Sequence, residues 1–280
     1  MIPDGAATII SIDGRVVPAA MAMISVLDRG LLYGDGCFEV LRTWAGVPRE
    51  LELHLDRLAD TAEFLRLRTP PREALVAQVR EALAAARVGG QGERRIRILL
   101  TRGPGALGAP VTTLGPGRSI VIVEPLPVQP TELSAVVIDY PLPARMHRGH
   151  KLLAYADHLV ARELAHAAGA DEGIRLDADG NLAECATANL FVVVGGVVVT
   201  APADRGVLPG IVRGRVLRYC AHLGIPVAER ALPRAELAHI TEIFATSSLR
   251  GVVPITRLDG TAVACGPVTR RLAEAHTRAL

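Results

Sequence analysis

Gly173-Ile-Arg-Leu-Asp-Ala-Asp-Gly-Asn-Leu-Ala-Glu184-Cys-Ala-Thr-Ala-Asn189-Leu-Phe-Val-Val193 reads as strand, turn, strand. Asp177-Ala-Asp-Gly180 supplies the turn chemistry, and apolar residues flank it on both sides. A second hairpin follows at once. Leu190-Phe-Val-Val-Val194 and Val197-Val-Val-Thr200 are joined by Gly195-Gly196. Immediately upstream, the pattern beginning Lys151-Leu-Leu-Ala-Tyr-Ala-Asp-His158 predicts a helix that opens at Lys151, runs to about residue 168 and is capped by Gly169.

The same reading extends to both ends. An N-terminal hairpin turns at Asp13-Gly14, and Cys37-Phe-Glu-Val-Leu-Arg-Thr-Trp44 is a strand. Leu55, Leu58, Ala62 and Leu65 give a helix over about 53–67, and Pro70-Pro71 separates it from another over about 72–86. Strands are expected at 95–101, 119–124, 136–140, 225–228, 242–246 and 252–256. Helices are expected from 208 to about 223 and from about 267 onward. The glycine-rich stretch Asp28-Arg-Gly-Leu-Leu-Tyr-Gly-Asp-Gly36 spaces its glycines at 30, 34 and 36, so it is no dinucleotide fingerprint. Hairpin-joined strands with a few helices indicate an α+β fold of two lobes rather than a Rossmann sheet. The prolines near 125–130 divide the chain into an N-terminal α+β domain over 1–124, an interdomain linker over 125–134 and a C-terminal α+β domain over 135–280 that carries Lys151.

The bulk numbers exclude several functions. Of 280 residues, 50% are hydrophobic and 21% charged, enough apolar surface for a sizeable core. A formal net charge of +2, with arginines scattered among acids, and 3% aromatic residues argue against nucleic acid. Cys37, Cys185, Cys220 and Cys265 lie far apart without a CxxC pair, so neither a disulfide framework nor a metal site is expected. The apolar runs are strand-sized and the first residues do not resemble a signal peptide; no membrane and a cytoplasmic location are the expectation.

A lysine amine, a strand-borne carboxylate and an arginine are what pyridoxal 5′-phosphate chemistry requires. The chain resembles the class IV aminotransferases, the fold-type IV pyridoxal-phosphate enzymes. That group includes branched-chain and D-amino-acid aminotransferases and aminodeoxychorismate lyase. The resemblance rests on Tyr33-Gly-Asp-Gly-Cys-Phe-Glu39, His54-Leu-Asp-Arg-Leu58, Lys151, Gly169-Ala-Asp-Glu172, Asp179-Gly-Asn-Leu-Ala-Glu184, Asn189-Leu-Phe191, Leu208-Pro-Gly-Ile211 and the run from Phe244 to Pro254. It spans nearly the whole chain. It implies a two-lobed fold with the cofactor between the lobes and a homodimer whose partner completes the active-site rim.

By that resemblance Lys151 is the Schiff-base lysine, which also shuttles a proton between substrate and cofactor. Glu184 pairs with the pyridine nitrogen and Arg57 holds the phosphate. Backbone N–H groups of Ile211 and Val212 at a helix start, and of Ser247 and Ser248 at a strand break, complete the phosphate site. Related enzymes often carry threonine where Val212 stands, so one hydroxyl contact is missing here. Tyr155 lies near the cofactor, or else is a core tyrosine. Tyr33, Arg42 and Arg97 correspond to positions that handle substrate. Strand alternation puts Arg95, Arg97 and Leu99 on one face, which leaves Arg97 either turned inward or solvated. Pro104-Gly-Ala-Leu-Gly-Ala-Pro110 lacks the arginine and histidine that clamp the carboxylate in the typical D-amino-acid enzyme, so either another arginine replaces them or the substrate differs; Arg145, His147, Arg148 and His150 are the candidate replacements or else a solvated charged loop. The implied reaction is amino transfer between an amino acid with an apolar side chain, L or D, and a 2-oxo acid. The alternatives are an aminodeoxychorismate lyase releasing pyruvate and an inactive cofactor-binding homologue. Glu39 speaks against the lyase, which commonly carries threonine there.

Overall fold

The computed structural model describes residues 8–88, 92–106, 108–110, 117–142 and 149–279. Arg145, His147 and Arg148 fall outside these, as does part of the 104–117 loop. The chain forms two compact units. One comprises residues 1–128 with 150–155, and the other residues 129–149 with 156–280.

The first unit is built on a six-stranded antiparallel sheet in the order β2-β1-β6-β5-β3-β4. Its strands are β1 (Ile9–Ile12), β2 (Arg15–Pro18), β3 (Gly36–Trp44), β4 (Val47–Pro48), β5 (Arg94–Thr101) and β6 (Arg118–Pro125). The turn between β1 and β2 uses Asp13 and Gly14, both at positive φ, as the Asp-Gly pair predicts. Alternation then decides which side chains are covered. Cys37, Leu41, Ile96, Ile98, Leu100, Val121 and Val123 face helices α2 (Leu51–Phe64) and α3 (Arg72–Val88) and form one core with Leu55, Leu58, Leu75 and Val79. Phe38, Val40 and Arg42 occupy the other face with their register partners Leu99, Arg97 and Arg95. Residues 28–36 contain a short helix, α1 (Arg29–Tyr33), where the sequence shows only glycines. Asp28 caps it by accepting from Gly30 N at 2.7 Å, and Gly34 ends it in the left-handed region.

The Lys151 segment is a correction in two respects. It is not helical, because α4 starts only at Ala156 and runs to Ala167. It also belongs to the first unit, not to the C-terminal domain. The reason is an unpaired strand edge. Phe38 N donates to Lys151 O at 3.0 Å and Leu153 N donates to Gly36 O at 2.9 Å, so the segment extends beside the start of β3. That ladder outweighs the helical spacing of Leu152 and Tyr155.

The second unit contains a ten-stranded mixed sheet. Its strands are β7 (Leu133–Val137), β8 (Glu172–Leu176), β9 (Asn181–Cys185), β10 (Asn189–Val194), β11 (Val197–Thr200), β12 (Val227–Glu229), β13 (Leu232–Pro233), β14 (Ile240–Ser247), β15 (Gly251–Leu258) and β16 (Thr261–Ala262). β7 begins three residues before the predicted strand and lies parallel to both neighbours, β15 and β8. The path β10-β14-β15-β7-β8-β9 returns on itself, because Glu184 of β9 pairs with Asn189 of β10. Leu133, Ile174, Leu182, Leu190, Val192, Ile243 and Ile255 fill one side. α5 (Ile211–Leu223) and α6 (Pro267–Arg278) cover Phe191, Val193, Phe244 and Val252 on the other. Among the described residues, no helix is long and apolar enough to cross a membrane.

Candidate active site

In the first unit the functional side chains gather on one aromatic ring. Lys151 Nζ lies 4.6 Å from the Phe38 ring centroid and 5.6 Å from that of Tyr155. Tyr155 stands edge-on to Phe38 at 5.2 Å. The Arg97 guanidinium carbon lies 4.5 Å from the same Phe38 ring. Cation–π attraction holds both cations at this wall. Arg97 therefore turns toward Phe38, and its Nε is buried without a hydrogen-bond partner. Burial also pulls its guanidinium below the usual arginine value. A buried cationic donor without a partner fits an anionic group of a ligand.

Arg57 lies on the α2 face turned to β3. Its Nε and Nη2 donate to the two carboxylate oxygens of Glu39, each at 2.7 Å, and Glu39 is fully buried. His54, one turn earlier on α2, shares Glu39 Oε2 at 2.7 Å through Nδ1. One turn later, Thr61 Oγ1 donates to Arg57 O at 3.0 Å and lies 3.5 Å from Lys151 N. Phe64 then stacks on His150 with centroids 4.0 Å apart. One stripe of α2 thus supports the lysine segment from His54 to Phe64. Arg57 is 9% exposed, so it does not lie on the solvated face of α2. Tyr33 and Arg42 stand with other partners: Arg29 lies over the Tyr33 ring at 4.8 Å and Arg42 over the Trp44 ring at 5.1 Å.

In the second unit Glu184 is buried at the end of β9. Its Oε2 accepts from Leu208 N at 3.0 Å and Asn189 Nδ2 at 3.2 Å. Asn189 Nδ2 also donates to Leu208 O at 2.7 Å, tying the carboxylate to the approach to α5. α5 begins after Gly210, an N-cap without a side-chain hydrogen bond, so the N–H groups of Ile211 and Val212 form an anion-ready helix start. The Val212 side chain packs into the core, which leaves its main chain for that role. Ser247 ends β14, and Ser248 opens the tight turn into β15. Register puts Glu184 opposite Asn189 and Asn189 opposite Thr246, the residue before Ser247, so the carboxylate's row of the sheet ends next to the serine turn. A buried acid, an uncapped helix start and a serine turn suit a protonated ring nitrogen and a phosphate.

Sequence reasoning missed the supports. Glu39, His54 and Asn189 stand in the quoted motifs, but the motifs do not reveal what these side chains hold. The usable signal was His54 and Arg57 three residues apart, on the α2 face that also carries buried Leu58.

The two-lobed α+β chain has the architecture of the fold-type IV pyridoxal-phosphate enzymes. The family description "Amino-transferase class IV" matches residues 36–258, and the chain belongs to that family. It is 34% identical over 273 residues to a putative branched-chain-amino-acid aminotransferase of Methanocaldococcus jannaschii, across 95% of this chain and 94% of that one. A branched-chain amino acid aminotransferase of T.th., solved in complex with N-(5′-phosphopyridoxyl)-L-glutamate, shares 30% identity at a TM-score of 0.88, over 98% of this chain and 94% of that one. The 4-amino-4-deoxychorismate lyase of Pseudomonas aeruginosa shares 32% identity at a TM-score of 0.83, over 97% and 99%.

Proposed function

We propose that this protein is a pyridoxal-phosphate-dependent aminotransferase that moves the amino group of an amino acid with an apolar side chain to a 2-oxo acid. The observation that carries the reading is the shared ring: Lys151 and Arg97 both lie against Phe38. The amine that reacts and a cation able to hold a substrate carboxylate are then fixed to one wall. Val40 and Leu99 extend that wall with apolar side chains, which supports an apolar substrate.

The cofactor is pyridoxal 5′-phosphate; when bound, it supplies an electron-accepting ring that stabilises a carbanion at the substrate Cα. Lys151 Nζ would hold the cofactor covalently and, once the substrate amine has displaced it as a free amine, would carry the substrate's Cα proton. Glu184 would pair with the cofactor's ring nitrogen through a charge-assisted hydrogen bond. Ile211, Val212, Ser247 and Ser248 donate main-chain N–H groups to the phosphate, with Arg57 as its fixed cation. Tyr155 packs beside the amine, and Tyr33 and Arg42 belong to the substrate rim. The two ring contacts of Lys151 support its covalent role over that of a solvated lysine.

We also infer a homodimer. Met23, Val26 and Leu31 are 78%, 74% and 60% exposed within a run of apolar residues, a surface suited to a second copy. A monomer at micromolar concentration in analytical ultracentrifugation would remove that inference.

The test of function is a half-reaction. The purified protein should show a visible absorbance band that an apolar amino acid bleaches and a 2-oxo acid restores. Lys151→Ala should lose both the band's imine character and turnover. Retention of turnover by Lys151→Ala would overturn the reading. Stoichiometric pyruvate from 4-amino-4-deoxychorismate, without amino transfer, would replace it with a lyase.

A further inference from the structure

Arg250 lies outside every role assigned above, yet it makes the densest polar contacts near the serine turn. It is the last residue of that turn, between Ser247 of β14 and Gly251 of β15, which face each other in register. Its side chain reaches beyond its own hairpin. Nη2 donates to Glu172 Oε1 at 2.6 Å and to Thr187 Oγ1 at 2.7 Å. Nε and the main-chain N both approach Ser247 Oγ, at 3.3 and 3.4 Å. Thr187 completes the group by donating its N–H to Glu172 Oε2 at 3.2 Å and its hydroxyl to Glu172 Oε1. The ion pair is shielded: the Arg250 and Glu172 side chains are 15% and 2% exposed.

Thr187 belongs to the turn between β9, which carries Glu184, and β10, which carries Asn189. Arg250 therefore connects two turns at the same end of the sheet. One follows the proposed ring-nitrogen acid and the other contains the proposed phosphate donors. A rigid cofactor has a fixed distance between those two ends, so the spacing of the turns decides whether both can be satisfied together.

We propose that Arg250, clamped by Glu172 and Thr187, is a positioning residue that sets the phosphate-binding turn at Ser247 and Ser248 against the Glu184 strand. The proposal rests on the assignment of those serines to the phosphate. Because Ser247 Oγ already faces N–H donors on the Arg250 side, its own hydroxyl proton is directed elsewhere. Arg250 acts through the turn rather than by touching the cofactor.

The test compares two probes on protein stripped of cofactor: pyridoxal phosphate, and pyridoxal, which lacks the phosphate. Arg250→Met keeps most of the side-chain length and removes its donors. It should weaken pyridoxal phosphate binding about tenfold, the scale of one lost charge-assisted hydrogen bond, and change pyridoxal binding less than about twofold. Thr187→Val, a smaller change, should weaken pyridoxal phosphate alone, by about threefold. Unchanged pyridoxal phosphate affinity in Arg250→Met overturns the proposal. So does an equal loss for both probes, which is what general loosening of the fold produces. If Arg250→Met does not fold, Thr187→Val decides, and unchanged phosphate-dependent affinity there overturns it. Failure of the parent protein to bind pyridoxal phosphate at all would instead overturn the functional reading on which the proposal stands.

Discussion

Arg57 grips both carboxylate oxygens of Glu39 at 2.7 Å, in a buried pair. Burial alone would raise the Glu39 carboxyl. The Arg57 guanidinium and the His54 ring more than reverse this and hold it at about 2, down from 4.5. Burial lowers His54 below its ordinary value, so near neutral pH the ring is uncharged and donates its Nδ1–H to Glu39. The charge on Glu39 is thus matched by Arg57, while His54 fixes its orientation.

Replacing Glu39 by Gln should therefore destabilise the protein by about 3 kcal/mol, because the Arg57 charge is left buried and uncompensated. Urea unfolding at pH 7 measures it. The pH dependence has a definite sign. Glu39 has a depressed folded value, so its contribution is complete above the unfolded carboxylate range near 4.5 and is lost as pH falls toward about 2. His54 adds in the same sense, since the unfolded chain takes up its proton first as pH drops below about 6.5. Stability of the parent should fall from pH 7 to 4. In Glu39→Gln the portion of that fall belonging to the carboxyl should be absent. Parallel curves for the two proteins would show that the pair carries no linkage.

Much of this was legible before the structure, for reasons that differ by residue. Asp13-Gly14 and Gly195-Gly196 mark hairpins because the turn backbone requires positive φ, and all four residues adopt it. Glu184 stands in a quoted motif, and the structure adds that it is buried. The conformation at Lys151 was not legible. Its neighbours carry a helical pattern, and only the unpaired edge of β3, far away in sequence, makes the segment extend. The partner of Arg57 was obscured for a similar reason. Glu39 precedes it by 18 residues, and strand parity alone puts Glu39 with buried Cys37 and Leu41 without identifying the helix that covers it. Arg250 carried no local signal, since its partners lie 78 and 63 residues away.

Gly210, which caps α5, and Gly214 within it should respond oppositely to the same methyl group. At Gly210 an added Cβ would lie 1.9 Å from Asn189 Oδ1, and Asn189 holds Glu184. Gly210→Ala should cost about 2–3 kcal/mol and weaken cofactor binding, since Asn189 must leave two buried hydrogen bonds. At Gly214 the nearest atom is the tip of Arg218, 3.8 Å away, so Gly214→Ala should stabilise the helix by about 0.5–1 kcal/mol with cofactor binding unchanged. Thermal unfolding with cofactor titration checks both. Similar behaviour of the two variants would mean that Asn189 does not govern the Glu184 position.

Arg97 tests the assignment of the substrate wall, because stability and function should move apart there. In the free protein its Nε is a buried donor without a partner, and burial already disfavours the charge. Such a donor costs about 1–3 kcal/mol, which a bound carboxylate recovers. Arg97→Gln should leave folding stability unchanged or slightly higher, while kcat/KM for an amino acid falls about 10–100-fold through loss of a charge-assisted hydrogen bond. An amine without a carboxylate, such as 1-phenylethylamine, forms no such bond, so its kcat/KM should stay within about twofold of the parent's. The ratio of the two substrates therefore isolates the carboxylate contact from any general damage around Phe38. If both substrates lose rate equally and stability falls as well, Arg97 is a structural cation against the Phe38 ring, and the carboxylate must be held by another residue.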